Sequence, residues 1–183
     1  EFTADLQRAL AASERLVELL HAQPDIAAPD TPQALPQPPL GSVDFVDVRF
    51  VYPARPETPA LADLSLSIAP GERVALVGPS GAGKTTVFQL LLRFHDPEAG
   101  TVRVDGVDVR AADPADVRAR IGLVPQEPVI FTGTVAENIA FGRPEASRAE
   151  IEAAADTAAA DGFIRALPDG YDTHLGEKGV RLS

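Results

Sequence analysis

Apolar positions along this chain switch between two periods, and each switch marks an element. Over residues 6–20, Leu6, Leu10, Leu16, Val17, Leu19 and Leu20 recur at helical spacing and predict one amphipathic helix. The spacing suits a helix packed on its own domain as well as one arriving from another. Pro24, Pro29, Pro32, Pro36, Pro38 and Pro39 then punctuate a segment that can form neither helix nor central strand. Residues 24–42 therefore read as an extended linker at a domain boundary, with residues 1–23 on one side and 43–183 on the other. Val43, Phe45, Val48 and Phe50 alternate loosely in a β-branched and aromatic run, a strand that ends at Pro53. Leu64, Leu66 and Ile68 alternate with serines, and Pro70-Gly71 turns the chain into an apolar run, Val74 to Val77. That run has the uninterrupted character of a buried parallel strand.

Beyond residue 86 the period lengthens. Val87, Leu90, Leu91 and Phe94 form a core-facing helix stripe, closed by Pro97 and Gly100. Val102 and Val104, then Asp105-Gly106, then Val107 and Val109 predict a hairpin. Asp113-Pro114 supplies an N-cap and a first-turn proline for a short helix to about Arg120. Ile121 to Val124 reads as another buried strand, ending at Pro125-Gln126. Thr134 with Glu137, and Ser147 with Glu150, both fit the capping box, and the second helix carries Ile151, Ala154, Ala155 and Ala158 on one face. Gly170, Gly176 and Gly179 end the regular pattern.

Length, composition and charge narrow the picture further. A length of 183 residues suits one domain or part of one. A net charge of −11 leaves no basic footprint, so nucleic acid is not expected as a partner. Without cysteine there is no disulfide framework and no thiol chemistry. No apolar run approaches the length of a membrane span, and the start at Glu1-Phe2, without methionine or a signal segment, reads as a piece of a longer protein.

The chemistry concentrates between residues 74 and 86. Gly78, Gly83, Lys84 and Thr85 fill the G-x-x-x-x-G-K-[ST] template, here Gly78, Pro79, Ser80, Gly81, Ala82, Gly83, Lys84, Thr85 and Thr86, behind a predicted strand and ahead of a predicted helix. Backbone N–H groups of such a loop converge on phosphate oxygens, and glycine keeps side chains out of the approach. The helix dipole favours the anion. Lys84 would supply a point charge to the β- and γ-phosphates, and the Thr85 hydroxyl would be a ligand for Mg²⁺. A P-loop enzyme also needs an acidic residue ending a second core strand. The nearest candidate is the run ending in Asp105, but Arg103 and the Asp105-Gly106 turn make it a half-exposed hairpin. Gln126, at the end of an apolar strand, sits where open α/β sheets place ligand-binding groups and could touch Mg²⁺ or water, or be an ordinary polar residue after a proline. Tyr52 could be a stacking platform for a base, or simply cover core. His21, His95 and His174 have no metal spacing.

The ordered set F-V-Y-P-A-R-P (50–56), G-P-S-G-A-G-K-T-T (78–86), L-L-R-F-H-D-P-E-A-G-T-V-R-V-D-G (91–106), V-P-Q-E-P-V-I-F-T-G-T-V-A-E-N-I (124–139) and G-E-K-G-V-R-L-S (176–183) resembles the nucleotide-binding domain of ABC transporters, of the exporter half-transporter type. The resemblance implies an α/β fold: a P-loop NTPase (RecA-like) core with an antiparallel β-subdomain and part of an α-helical subdomain. Residues 1–23 would then be the helix connecting from a transmembrane domain. Tyr52 matches the aromatic residue that stacks on adenine, and Gln126 the glutamine that senses Mg²⁺ and γ-phosphate. Residues 176–179 are similar to the exporter X-loop, so Glu177 and Lys178 would face coupling helices of the membrane domain, with lysine where arginine is usual. Leu182 and Ser183 look like the start of the L-S-G-G-Q signature, whose serine reaches ATP bound to the opposite subunit.

The family's acidic Walker B residues and switch histidine would lie beyond Ser183. The resemblance therefore implies ATP and Mg²⁺ as ligands, a second nucleotide-binding domain as partner, the cytoplasmic face of the cell membrane as location, and binding without hydrolysis by these residues alone. Two rival readings stand beside it: a nucleotide-binding or interaction module without catalysis, and an ABC-type ATPase acting on DNA.

Overall fold

The computed structural model describes residues 24–176 together with Val17, Leu20 and His21. Of the predicted N-terminal helix, Val17 and Leu20 are helical and exposed, and the rest lies outside the described residues. The chain divides into two compact units, Glu1–Gly122 and Leu123–Ser183.

The first unit is built on a four-stranded antiparallel sheet in the order β2-β1-β3-β4: β1 is Val43–Phe50, β2 is Leu61–Ile68, β3 is Ala99–Val104 and β4 is Val107–Asp108. β1 lies in the middle, pairing Phe45 with Leu66 on one side and with Val102 on the other. Its loose alternation has a local cause. Asp47 adopts φ 47°, the register slips on both sides of it, and the buried positions move from Phe45 to Val48 and Phe50. Gly100 of β3 lies against that bulge. A Cβ on Gly100 would fall 2.4 Å from the carbonyl oxygens of Val46 and Asp47, so glycine alone allows the two backbones to meet.

Helix α1, Lys84–Leu91, packs Val87 and Leu90 onto the sheet residues Phe45, Phe50, Val102 and Val104, and α2, Pro114–Arg118, adds Val117 to the same core. Asp113 caps α2 by accepting from Ala115 N at 2.8 Å, as its sequence predicts, although the helix stops at Arg118 rather than near Arg120. Phe94 departs from the core stripe that its spacing predicts and is 50 % exposed. The chain leaves α1 at Leu92 and turns through Arg93 at φ 51°, which rotates Phe94 outward, where the Arg118 guanidinium lies 5.1 Å over its ring. Arg118 also donates to the carbonyls of Leu92 and Arg93, placing a cation on the negative end of α1.

The two apolar runs predicted as buried parallel strands differ from expectation. Among the described residues neither 74–77 nor 121–124 joins a strand ladder, and Val77 and Val124 are 89 % and 94 % exposed. A parallel strand is stable only when strands flank it and helices cover both faces. Only Leu76 and Ile121 of these runs pack against the core, each partly buried.

The linker is extended, as its prolines dictate, but it is anchored rather than free. Leu35 is buried in the core, and Gln33 N donates to Ala111 O at 2.7 Å. Asp105 at the β3–β4 turn holds the end of the linker: Oδ1 accepts from Gly41 N and Ser42 N at 2.6 and 3.0 Å, and Oδ2 accepts from Leu40 N at 3.2 Å and Arg120 Nη1 at 2.8 Å. The other arm of Arg120 donates to Pro36 O at 2.7 Å. Burial alone would raise the Asp105 carboxyl, but the backbone N–H groups of Ser42, Gly41 and Leu40, with Arg120, outweigh it and hold the group below the usual carboxylate range. Asp105 is thus structural, with its oxygens committed to the linker and Arg120, and it is buried where the sequence reading expected a half-exposed hairpin.

In the second unit α3 is Val135–Ile139, α4 is Arg148–Thr157 and α5 is Asp161–Arg165, beside a two-stranded ladder of β5, Gly133–Thr134, and β6, His174–Leu175. Both predicted capping boxes are formed, Thr134 with Glu137 and Ser147 with Glu150. Of the predicted α4 face, Ile151 and Ala155 are buried and Ala154 and Ala158 exposed. The core is Val135, Ile151, Ala155, Ile164, Tyr171 and Leu175. Tyr171 donates to Asp161 Oδ1 at 2.7 Å, while Arg148 and Arg165 stand 4.7 and 5.7 Å over its ring. Burial and then the Asp161 carboxylate push the Tyr171 phenol up to about 12.

Two outcomes test this packing. Because the folded value of Asp105 is lowered, its stabilisation is complete above the ordinary value of 3.8 and is lost as pH falls through the folded value. Asp105→Asn is expected to cost about 3 kcal/mol at pH 7, and the difference in thermal midpoint from the native protein should close as pH drops below about 4. In the second unit, Ser147→Ala removes a cap and should lower stability to urea by about 1 kcal/mol.

Candidate functional site

The glycine loop, residues 78–83, leads directly into α1, and its backbone is shaped by left-handed residues. Gly81 and Gly83 both have φ 82°. At Gly83 two demands coincide, because an added Cβ would also meet Ala60 O at 2.5 Å and Leu61 Cδ2 at 2.8 Å. The loop can therefore reach the helix start only by running against the first residue of β2 without a side chain. Gly83 is the N-cap residue and offers no side chain to the first turn of α1, which also carries no acidic residue. The first N–H groups of α1 thus meet no capping side chain, and the positive end of the helix meets no carboxylate of its own turn.

Lys84 folds back over this loop. Its Nζ donates to Gly78 O at 2.8 Å and Pro79 O at 2.7 Å, so the ammonium is held above the loop by two carbonyls. An anion seated on the loop would find that charge already in place. Thr85 is exposed at the helix start, and Thr86, next to it, is buried. A neutral hydroxyl such as that of Thr85 is a hard oxygen donor of the kind Mg²⁺ accepts beside phosphate oxygens and water. Among the described residues no group of three or more histidine or acidic side chains could hold a metal by itself.

Tyr52 lies in the same unit, half-buried, just after β1. Its ring meets Phe50 at 4.8 Å and His95 at 5.6 Å, both nearly perpendicular, and its hydroxyl is bonded to Thr86 Oγ1 and Gln89 Oε1. The structure thus brings Tyr52 together with the helix that leaves the glycine loop. Gln126 belongs to the second unit and is exposed in a bend. Glu177, Lys178 and Ser183 lie outside the described residues. Sequence reading missed Gln89 and His95. Gln89 was detectable as the residue three after Thr86, on the same helix face, whereas nothing in the spacing of His95 announced an aromatic contact.

The family model described as ABC transporter matches residues 61–183. Mouse (Mus musculus) ATP-binding cassette sub-family B member 10, mitochondrial, is 47 % identical over 185 residues, covering 100 % of this chain and 26 % of that protein. The ATP-dependent lipid A-core flippase of Thiobacillus denitrificans is 51 % identical over 179 residues, 97 % of this chain and 30 % of that protein. A solved structure of a bacterial Atm1-family ABC exporter with ATP bound superposes with a TM-score of 0.86 at 42 % identity, over 97 % of this chain and 31 % of that one. The chain therefore spans between 26 % and 31 % of the length of these relatives. With a glycine loop opening an uncapped helix, a lysine held over that loop and this match, the chain belongs to the ABC transporter family, as an ATP-binding P-loop NTPase portion of its nucleotide-binding domain.

Proposed function

We infer that this chain binds Mg-ATP on the loop 78–86 and that, in the intact protein, two such domains close on ATP to drive export across a membrane. The observation that carries the reading is the start of α1: a first turn without a capping side chain, behind a glycine loop, under the Lys84 ammonium. In this reading the backbone of Gly78, Pro79, Ser80, Gly81, Ala82 and Gly83 cradles phosphate oxygens, and Lys84 exchanges its two loop carbonyls for the β- and γ-phosphates. Thr85 and Gln126 would each be a ligand for Mg²⁺, which would supply positive charge to the phosphate chain. Tyr52 carries the base, Ser183 reaches the ATP of the partner domain, and Glu177 and Lys178 face the coupling helices of a membrane domain.

Likeness to an exporter with ATP bound supports this assignment, as does likeness to a lipid flippase for the export step. Among the described residues no helix is long and apolar enough to cross a membrane, so the pathway itself would belong to another part of the protein. The domain would then work at the cytoplasmic face of the cell membrane.

Two substitutions test the loop. Lys84→Ala removes charge-assisted hydrogen bonds to phosphate and should weaken Mg-ATP binding by about ten- to a hundredfold, read by calorimetry on the intact protein. Unchanged affinity would refute the assignment. Gly83→Ala places a methyl group against Ala60 O in a left-handed residue, and should lower both ATP affinity and the thermal midpoint, since the loop can accept it only by moving.

A further inference from the structure

One face of α1 engages the Tyr52 hydroxyl twice. The phenol donates to Gln89 Oε1 and lies 3.0 Å from Thr86 Oγ1. Thr86 and Gln89 are three residues apart, the separation that brings side chains together on a helix. Thr86 is buried, while Tyr52 and Gln89 are half-buried, so water competes only partly for these bonds. Phe50 and His95 brace the ring at near right angles, with interplanar angles of 81° and 86°. The phenol is therefore fixed by two hydrogen-bond partners and two rings, far more than covering core requires.

This arrangement matters for a ring that receives a ligand. Stacking on an aromatic face gains free energy only after the cost of ordering the ring has been met, and a side chain already fixed loses less on binding. The residue that fixes it here stands on the same helix as Lys84. Gln89 lies five residues beyond Lys84, about 7.5 Å along the axis. The two ends of a nucleotide, base and phosphates, would thus be gauged against a single rigid element. Resting on the reading of Tyr52 as the base platform, we propose that Gln89, with Thr86, is a positioning residue for base recognition. Its amide oxygen holds the Tyr52 phenol at a set distance from the glycine loop, so that nucleoside triphosphates are favoured over a bare triphosphate chain.

The test is carried out on the intact protein, with binding of ATP and of inorganic tripolyphosphate, each with Mg²⁺, measured by calorimetry. Tyr52→Phe keeps the ring and removes the donor, and Gln89→Leu keeps the bulk and removes the acceptor. Each should weaken ATP about three- to tenfold and leave tripolyphosphate unchanged, and the double variant should be no weaker than the worse single one. Gln89→Glu retains an acceptor and should bind ATP within about twofold of the native protein, any repulsion by its charge being read from tripolyphosphate. Tyr52→Ala should lose more than Tyr52→Phe. If Tyr52→Ala weakens ATP while Tyr52→Phe and Gln89→Leu do not, the tether is refuted and the platform stands. If Tyr52→Ala binds ATP as the native protein does, both fail. A loss in Gln89→Leu that is equal for ATP and tripolyphosphate would overturn the positioning role in favour of general damage to the helix.

Discussion

The first turn of α1 has backbone N–H groups that no side chain caps, and in a helix of eight residues that is a substantial liability. The rest of the first unit is arranged to offset it. Val87 and Leu90 bury one face against the sheet. At the far end Arg118 donates to the carbonyls of Leu92 and Arg93, and Arg93 itself is buried, donating to Asp96 and Ala112 O. The helix is thus secured by its flank and its C-terminus, leaving its N-terminus available to an anion. Local stability is given up where binding needs exposed donors and recovered where it does not.

Much of this was legible because the deciding signals are local. Asp105-Gly106 forms its hairpin because both residues adopt positive φ, which few residue types tolerate. Asp113, Thr134 and Ser147 cap helices because their side chains reach backbone N–H groups only two or three residues away. The spacing of Val43, Phe45, Val48 and Phe50 even contained the bulge at Asp47, as one three-residue step in a two-residue pattern. The glycine loop was legible for the same reason.

Features that depend on distant partners escaped. The apolar runs at 74–77 and 121–124 carry the character of parallel strands, but pairing is decided by neighbours far along a chain, and neither run reports them. Phe94 lies on the other side from its stripe because a single left-handed residue, Arg93, redirects the chain after the helix. The bond between Tyr52 and Gln89 spans 37 residues, and that of Asp105 to Gly41 spans 64. Such contacts arise from the fold and leave no mark on local pattern.

Asp105 shows how narrow the choice of residue becomes when several demands meet at one site. The left-handed backbone at φ 52° favours glycine, asparagine and aspartate, although Arg93 and Ala159 also adopt it elsewhere in the chain. The backbone donors of Leu40, Gly41 and Ser42 require an acceptor with no hydrogen of its own, which excludes glycine and disfavours the amide. Arg120 requires a negative charge, and glutamate, although charged, is not among the types the backbone favours. Each demand alone narrows the alphabet. Together they favour aspartate over each alternative, so the residue at this turn is set by the linker and Arg120 that it holds.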